Sequence, residues 1–471
     1  MLFNSWVFLP FLIAVLILNK LLPHRAQNLM LLGASYFFYA CWDWRFLSLL
    51  LTSTTCDWLL ARAISREPSR LGARRWVVCS VVVNLVFLGF FKYFNFFIES
   101  ATTVVEALGF PGWHVGLSII LPVGISFYTF QSISYIVDVY RGEIEPAKNP
   151  IDFALFVAFF PHMVAGPIMP SRGLLPQLQH ERRATREQIR AGLWLMLLGF
   201  FKKVAIGDNL APIANSVFAG STAASGATVL IGVYAFALQI YCDFSGYTDI
   251  ARGVAKLLGI ELMVNFDRPY IAENPSDFWR RWHISLSQWL RDYLYKPLGG
   301  SRGGQFRTYR NLMLTMVLGG LWHGAAWNFV IWGIYQGLLL ILHRAATVDL
   351  GLRIPEGRAW SWVSRILMFH AVCYGWLLFR ATSFEQILNF TAALGSGLFD
   401  VFNSARIGST IVIVLGAIVL WSLEAWARNT DDPGANRGWQ VGVGALVCSL
   451  MVAAILLLAP PTAQSFIYFQ F

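Results

Sequence analysis

Long apolar runs, each near or just under the length of a membrane-crossing helix, alternate along the chain with short basic or Gly/Pro-rich connections. A crossing helix needs roughly 20 such residues. Helices are therefore predicted near 2–19, 29–42, 46–64, 76–97, 117–139, 191–216 and 227–258, and again near 311–326, 328–343, 361–379, 408–427 and 439–459. The expected fold is all-α and polytopic, with roughly eleven to thirteen helices, several too short to cross alone. No internal repeat, linker or second domain is visible, so residues 1–471 read as a single membrane-embedded domain.

Two stretches depart from the simple pattern. Residues 151–170 carry Pro161, Gly166, Pro167 and Pro170 inside an apolar run, which predicts a broken or re-entrant segment bordering a cavity. After Ile260 the chain turns basic, with Arg268, Arg280, Arg281, Arg291, Lys296, Arg302, Arg307 and Arg310, a stretch expected to face the cytoplasm. Asn274, Pro275, Ser276 and Asp277 supply a helix start, and Pro297, Gly299 and Gly300 a stop. Between them Phe278, Trp282, Leu286, Trp289 and Tyr293 recur at helical spacing, so one amphipathic helix lying in or dipping into the inner leaflet is expected.

Composition strengthens the membrane reading: 56% of the residues are hydrophobic, 15% aromatic and only 13% charged. The bias of Lys and Arg toward the cytoplasm puts residues 20–28 and the arginine-rich connections inside, with the chain start outside. The first apolar run has no charge before it and no small-residue cleavage site, so a retained span is expected rather than a signal peptide. A net charge of +10 suits basic loops against anionic lipid headgroups and does not by itself indicate nucleic acid. The six cysteines show no CxxC or Cys/His metal spacing and read as packing residues; no metal site is expected. No HExxH, GxxxxGK[ST], GxSxG or GxGxxG motif suggests another chemistry.

Ionisable groups inside apolar runs are where function is to be sought. His323 lies between Trp322 and Gly324, close to Gly319 and Gly320, where the backbone is thin and a cavity can reach the ring. An imidazole titrating near ~6.5 is suited to take a hydroxyl proton as oxygen attacks a thioester. The competing reading is a buried histidine bonded to a backbone carbonyl. His283, among Arg280, Arg281 and Trp282, is expected either to touch a substrate phosphate and shape the site or to be an interfacial aromatic. Asp243 and Asp249 need partners within their span; Asp243 is expected to orient a histidine or pair with an arginine of the basic stretch, Asp249 to be solvated near the inner end, and structural pairing is the favoured role for both. His162, in the broken segment, is a further supporting candidate, whereas His24, His114, His180, His343 and His370 carry weaker signals.

At these residues the chain resembles the membrane-bound O-acyltransferase family. The stretches that carry the resemblance are Ile120 to Gly142, Phe278 to Gly300, Tyr309 to Trp327 and the final FIYFQF. Within the family it is most similar to the bacterial branch that acetylates alginate, with cellulose- and peptidoglycan-acetylating relatives nearby and teichoic acid D-alanyl transfer further away. The resemblance implies a ring of helices around a funnel in the bacterial inner membrane, acetyl-CoA as donor with no bound cofactor, and an acceptor that is an exopolysaccharide or a periplasmic partner protein. It also implies that His323 is the central histidine and His283 the second motif histidine. One position departs: the alginate branch carries glutamine where this chain has His162. A transporter or flippase gated by the broken segment, or an acyltransferase with D-alanyl cargo, are the rival readings.

Overall fold

The computed structural model describes residues 1, 3–110, 119–164, 166–220, 225–397, 406–427, 438–460 and 466–467. Among these the secondary structure is helical, with no strand. His114 and residues 429–437 of the polar turn fall outside them. Each of the expected apolar runs carries a helix, and five helices among the described residues are long and apolar enough to cross a membrane by length and composition alone. Phe8–Leu21 and Gly442–Leu458 are shorter apolar helices.

The helices form two compact units. The first comprises residues 1–184, 258–262 and 324–326. Here the broken segment takes its expected form: helices Pro150–Ala158, Phe160–Met163 and Ser171–Gln179 replace a single span. Asn149 caps the first of them by accepting from the Ile151 N–H, and Pro150 occupies the first turn, where its missing N–H costs nothing. The break at Phe159 is satisfied by protein, since the Phe160 N–H donates to Ser35 Oγ at 3.1 Å. Gln131 Nε2 donates to the Phe156 carbonyl at 2.6 Å. Irregular backbone therefore survives in an apolar setting because neighbouring helices supply its partners.

The second unit comprises residues 185–257, 263–323 and 327–471. Its centre is the 32-residue helix Gly226–Leu257, buried along most of its length. Helix Arg186–Phe200 crosses it through small residues. A Cβ on Gly192 would stand 2.8 Å from the Gly253 carbonyl oxygen, and one on Gly199 would collide with the Gly246 carbonyl. With no hydrophobic drive between helices in lipid, such close backbone approach is what holds them together.

Helices Gln305–His323 and Trp327–Arg344 pack by the same device. A Cβ on Gly333 would lie 2.6 Å from the Met316 carbonyl oxygen, and one on Gly320 would overlap that of Phe329. Replacing Gly320 with alanine is expected to push these helices apart, costing about 1–3 kcal/mol and displacing His323 one turn away. A thermal unfolding midpoint unchanged from wild type would contradict that packing.

The run predicted as one span at 191–216 is divided: helix Arg186–Phe200 passes through a π-helical stretch, Phe201–Gly207, into helix Asp208–Phe218. Both Lys202 and Lys203 of this wider-turned stretch are buried.

Candidate active site

Two of the predicted residues meet in the second unit. Helix Gln305–His323 ends at His323, and the next helix begins at Trp327. The imidazole is 6% exposed and boxed edge-on by Trp322, Trp332 and Phe379, with centroids 5.2, 5.2 and 5.4 Å away. The His283 ring lies 6.4 Å from that of His323 and packs against Phe244 at 4.7 Å and Trp322 at 5.9 Å. His283 has no solvent exposure.

The way His283 reaches this position corrects the sequence reading. Residues 274–300 do not form one amphipathic helix: Pro275–Arg281 stops, His283 takes a left-handed backbone with φ 43°, and a new helix runs Ile284–Trp289. A left-handed non-glycine residue costs about 1–2 kcal/mol. Two backbone hydrogen bonds to an upstream loop hold it: Asp267 N–H to the Arg281 carbonyl and Ile284 N–H to the Asn265 carbonyl, both 2.9 Å. The break turns Trp282 into an aromatic cluster with Trp376 at 4.7 Å, and aims His283 the other way, at His323. The predicted apolar face is still buried, since Phe278, Trp282, Leu286 and Trp289 are all in the interior.

Asn265 fixes the tautomer. Its Oδ1 accepts from the Ser285 N–H at 3.1 Å and Ser285 Oγ at 2.9 Å, and faces His283 Nδ1 at 3.3 Å. An oxygen that is acceptor to all three requires the proton on Nδ1, which leaves Nε2 with its lone pair; that atom is buried and has no hydrogen-bond partner. His283 lies outside the helices long enough to span, and burial pulls its imidazole down to about 3.

A consequence for pH follows. An unfolded histidine titrates near ~6.5, so below that pH the unfolded chain binds a proton that folded His283 excludes. This contribution to stability is fully present above about 6.5 and is lost progressively as pH falls toward 3. Nuclear magnetic resonance of ring-labelled protein should show no His283 titration between about pH 5 and 8; a midpoint inside that window would contradict the assigned burial.

The supporting candidates divide. Trp322 lines the site, in contact with both histidines. Arg280 and Arg281 stand before the break and turn to carboxylates, Arg281 to Asp277 at 3.0 Å and to Asp267 at 3.6 Å, and the largely exposed Arg280 to Asp277 at 3.8 Å. Asp243 neither orients a histidine nor meets an arginine of the basic stretch. Its carboxylate pairs with Lys203 at 2.5 Å and accepts from the Ile467 N–H at 2.7 Å, while Lys203 also meets Asp208 at 2.8 Å. Asp249 is paired as well, with Lys202 at 3.0 Å, and Lys202 reaches Glu424 at 3.5 Å. His162 belongs to the first unit, buried beside Phe159, with Nε2 unpartnered. Among the described residues no cluster of three His, Cys, Asp or Glu could hold a metal.

Asn265, Ser285, Phe244, Trp332 and Phe379 were not among the sequence candidates. Trp332 alone carried a usable signal, an indole in an apolar helix just after the histidine motif. Asn265 lies 18 residues before His283 and can be paired with it only in three dimensions.

In this polytopic helical protein two buried imidazoles face each other, one at a helix end and one at a left-handed break. A model of the membrane-bound O-acyltransferase family matches residues 147–384, which include Asp243, His283 and His323. The chain is 40% identical over 507 aligned positions to the "Probable alginate O-acetylase AlgI" of Azotobacter vinelandii, covering all of both chains. It is 36% identical to the peptidoglycan O-acetyltransferase of Helicobacter pylori, over 82% of this chain and 78% of that one. It is 28% identical to the teichoic acid D-alanyltransferase of Bacillus subtilis, over 56% and 70%. The chain belongs to the membrane-bound O-acyltransferase family and is a multi-pass membrane O-acyltransferase. The transporter reading gives way to that assignment.

Proposed function

We propose that the chain takes acetyl groups from acetyl-CoA on the cytoplasmic side of a bacterial inner membrane. It delivers them, directly or through a periplasmic partner protein, to hydroxyls of an exopolysaccharide such as alginate or cellulose. The observation that carries this reading is the pair of buried imidazoles 6.4 Å apart in an aromatic box. Relatives named for alginate and peptidoglycan O-acetylation support acetyl as cargo and a polyhydroxylated acceptor. Between the two histidine motifs Arg302, Arg307 and Arg310 supply cations for the donor's phosphates, while Arg291 and Lys296 pair with Asp292.

In this mechanism His323 takes the proton of the incoming hydroxyl as its oxygen attacks the thioester carbon. A positioned base of this kind is worth about 10²–10⁴ in rate. His283, neutral and with its Nε2 lone pair free, accepts from a neighbouring hydroxyl of the acceptor and so orients it. The surrounding indoles and phenyl rings exclude water, which would otherwise hydrolyse the thioester.

Similarity to a teichoic acid D-alanyltransferase supports a second reading, with a D-alanyl group from a carrier protein as cargo. Purified protein in lipid nanodiscs, offered radiolabelled acetyl-CoA and D-alanyl-loaded carrier protein in parallel reactions with alginate as acceptor, separates the two. Label should pass from acetyl-CoA to polymer. Transfer of D-alanine alone would overturn acetyl as the cargo.

A further inference from the structure

Beside His323 the wall of the site contains a small polar notch. Trp332 and Gln336 stand one turn apart on helix Trp327–Arg344, each 1% exposed. They face Gly375 on helix Arg358–Arg380, where a built Cβ would lie 3.6 Å from Trp332 Nε1 and 2.8 Å from Gln336 Nε2. A side chain on Gly375 would therefore crowd the Gln336 amide and come into contact with the Trp332 indole nitrogen. The Trp332 indole nitrogen and the Gln336 amide oxygen are buried without hydrogen-bond partners.

A buried donor left unsatisfied costs about 1–3 kcal/mol, and natural proteins keep few of them. The expense makes sense where a ligand completes the bond. Position supplies the ligand's identity: the Trp332 ring stands at 88° to His323 with centroids 5.2 Å apart, and Phe379, one turn beyond Gly375, touches the same imidazole. The Trp332 ring is therefore adjacent to the group that takes the hydroxyl proton, near which a carbonyl undergoing attack must also sit.

We propose that this notch holds the carbonyl oxygen of the acyl thioester and that the Trp332 Nε1–H donates to it as it becomes an oxyanion. The inference rests on the acyl-transfer reading given above. As the alcohol oxygen bonds to the carbonyl carbon, the π electrons move onto the carbonyl oxygen and the hydroxyl proton passes to His323. Collapse re-forms the C=O bond and breaks the carbon–sulfur bond. The thiolate leaves with its electron pair and takes up the proton from His323. The donor is strongest when negative charge is fullest, so it stabilises the transition state more than bound substrate. Gln336, with its amide against Gly375, frames the notch.

The test compares purified wild type, Trp332→Phe and Gly375→Ala, using whichever of acetyl-CoA or D-alanyl carrier protein the wild type accepts. Trp332→Phe should lower kcat by about 10²–10³ with KM changed less than about threefold and the melting temperature retained. Gly375→Ala fills the notch and should lower kcat in the same way. A vibrational readout separates donation from packing. In a non-reacting His323→Ala background, the stretch of a ¹³C-labelled thioester carbonyl should move to lower frequency on binding, and the added Trp332→Phe change should abolish that movement. An unchanged kcat in Trp332→Phe, or a frequency shift that persists without the indole, overturns the proposal. Acceptance of D-alanyl carrier alone would overturn the acetyl assignment and leave the notch to be judged by the kcat comparison; acceptance of neither donor would overturn both.

Discussion

Replacing His323 with alanine is expected to lower acyl transfer by about 10²–10⁴, the usual worth of a positioned base. That corresponds to about 3–5 kcal/mol of transition-state stabilisation. Protein recovered in the membrane fraction should not change, because the ring is held by aromatic edge contacts that neighbouring Trp322, Trp332 and Phe379 can partly close among themselves. His323→Gln should be equally inactive: a carboxamide of similar reach can donate and accept hydrogen bonds but has no basic nitrogen. Radiolabel transferred from donor to polymer, normalised to membrane protein, measures both. Transfer at the wild-type rate in either variant would remove this imidazole from the reaction.

The second large effect concerns stability. Lys203 lies between Asp208 and Asp243, which come from different helices, and all three are nearly inaccessible. Charges buried in this way are kept by their partners, and deleting one partner leaves the others uncompensated, typically at a cost of about 3–5 kcal/mol. Lys203→Met leaves two carboxylates with no cation between them and should lower the melting temperature sharply and reduce the yield of monodisperse protein in detergent. The double variant Lys203→Met with Asp243→Asn should recover part of the loss. The asparagine oxygen still accepts from the Ile467 N–H while one negative charge is gone. A single variant that melts with the wild type would mean the cluster is solvated or otherwise compensated.

Asp243 also links the site to residues beyond the part matched by the family model. Phe466, next to Ile467, packs on Tyr247 at 4.8 Å and on Phe244 at 5.9 Å, and Phe244 in turn lies against His283. Helix Ile407–Ala427 is tied to the same centre through Glu424, which accepts from Tyr241 and meets Lys202. The site is therefore braced by residues spread from 202 to 467 in the sequence.

Much of this is legible in the sequence alone. Apolar run length located the helices because hydrocarbon thickness sets a length that composition must meet. Pro161, Pro167 and Pro170 announced the broken segment, since proline removes a donor that the helix ladder needs. His323 stands out for its glycine neighbours, and one of them, Gly320, does hold its helix against the next one.

The break at His283 was hidden for a physical reason. Phe278, Trp282, Leu286 and Trp289 keep helical spacing across it, because the chain resumes a helix after one left-handed residue and buries the same apolar residues on both sides. Periodicity reports the average face and not the continuity of the ladder. Asp243 was expected near a histidine because the nearest sequence cues were histidines and arginines. Its actual partner, Lys203, lies inside an apolar run, where two adjacent lysines demand buried carboxylates. Arg280 and Arg281 share a motif with His283 but not a direction, and only the left-handed turn separates them.

The central claim is that one imidazole couples a donor on the cytoplasmic side to an acceptor on the other. The most direct measurement uses sealed proteoliposomes with the protein in a single orientation, labelled acetyl-CoA confined to the face bearing the basic loops, and a polysaccharide confined to the opposite face. Label should appear on the polymer across the barrier in wild type and be absent with His323→Ala. Label that reaches the polymer equally in that variant, or only when donor and polymer share one compartment, would contradict the account.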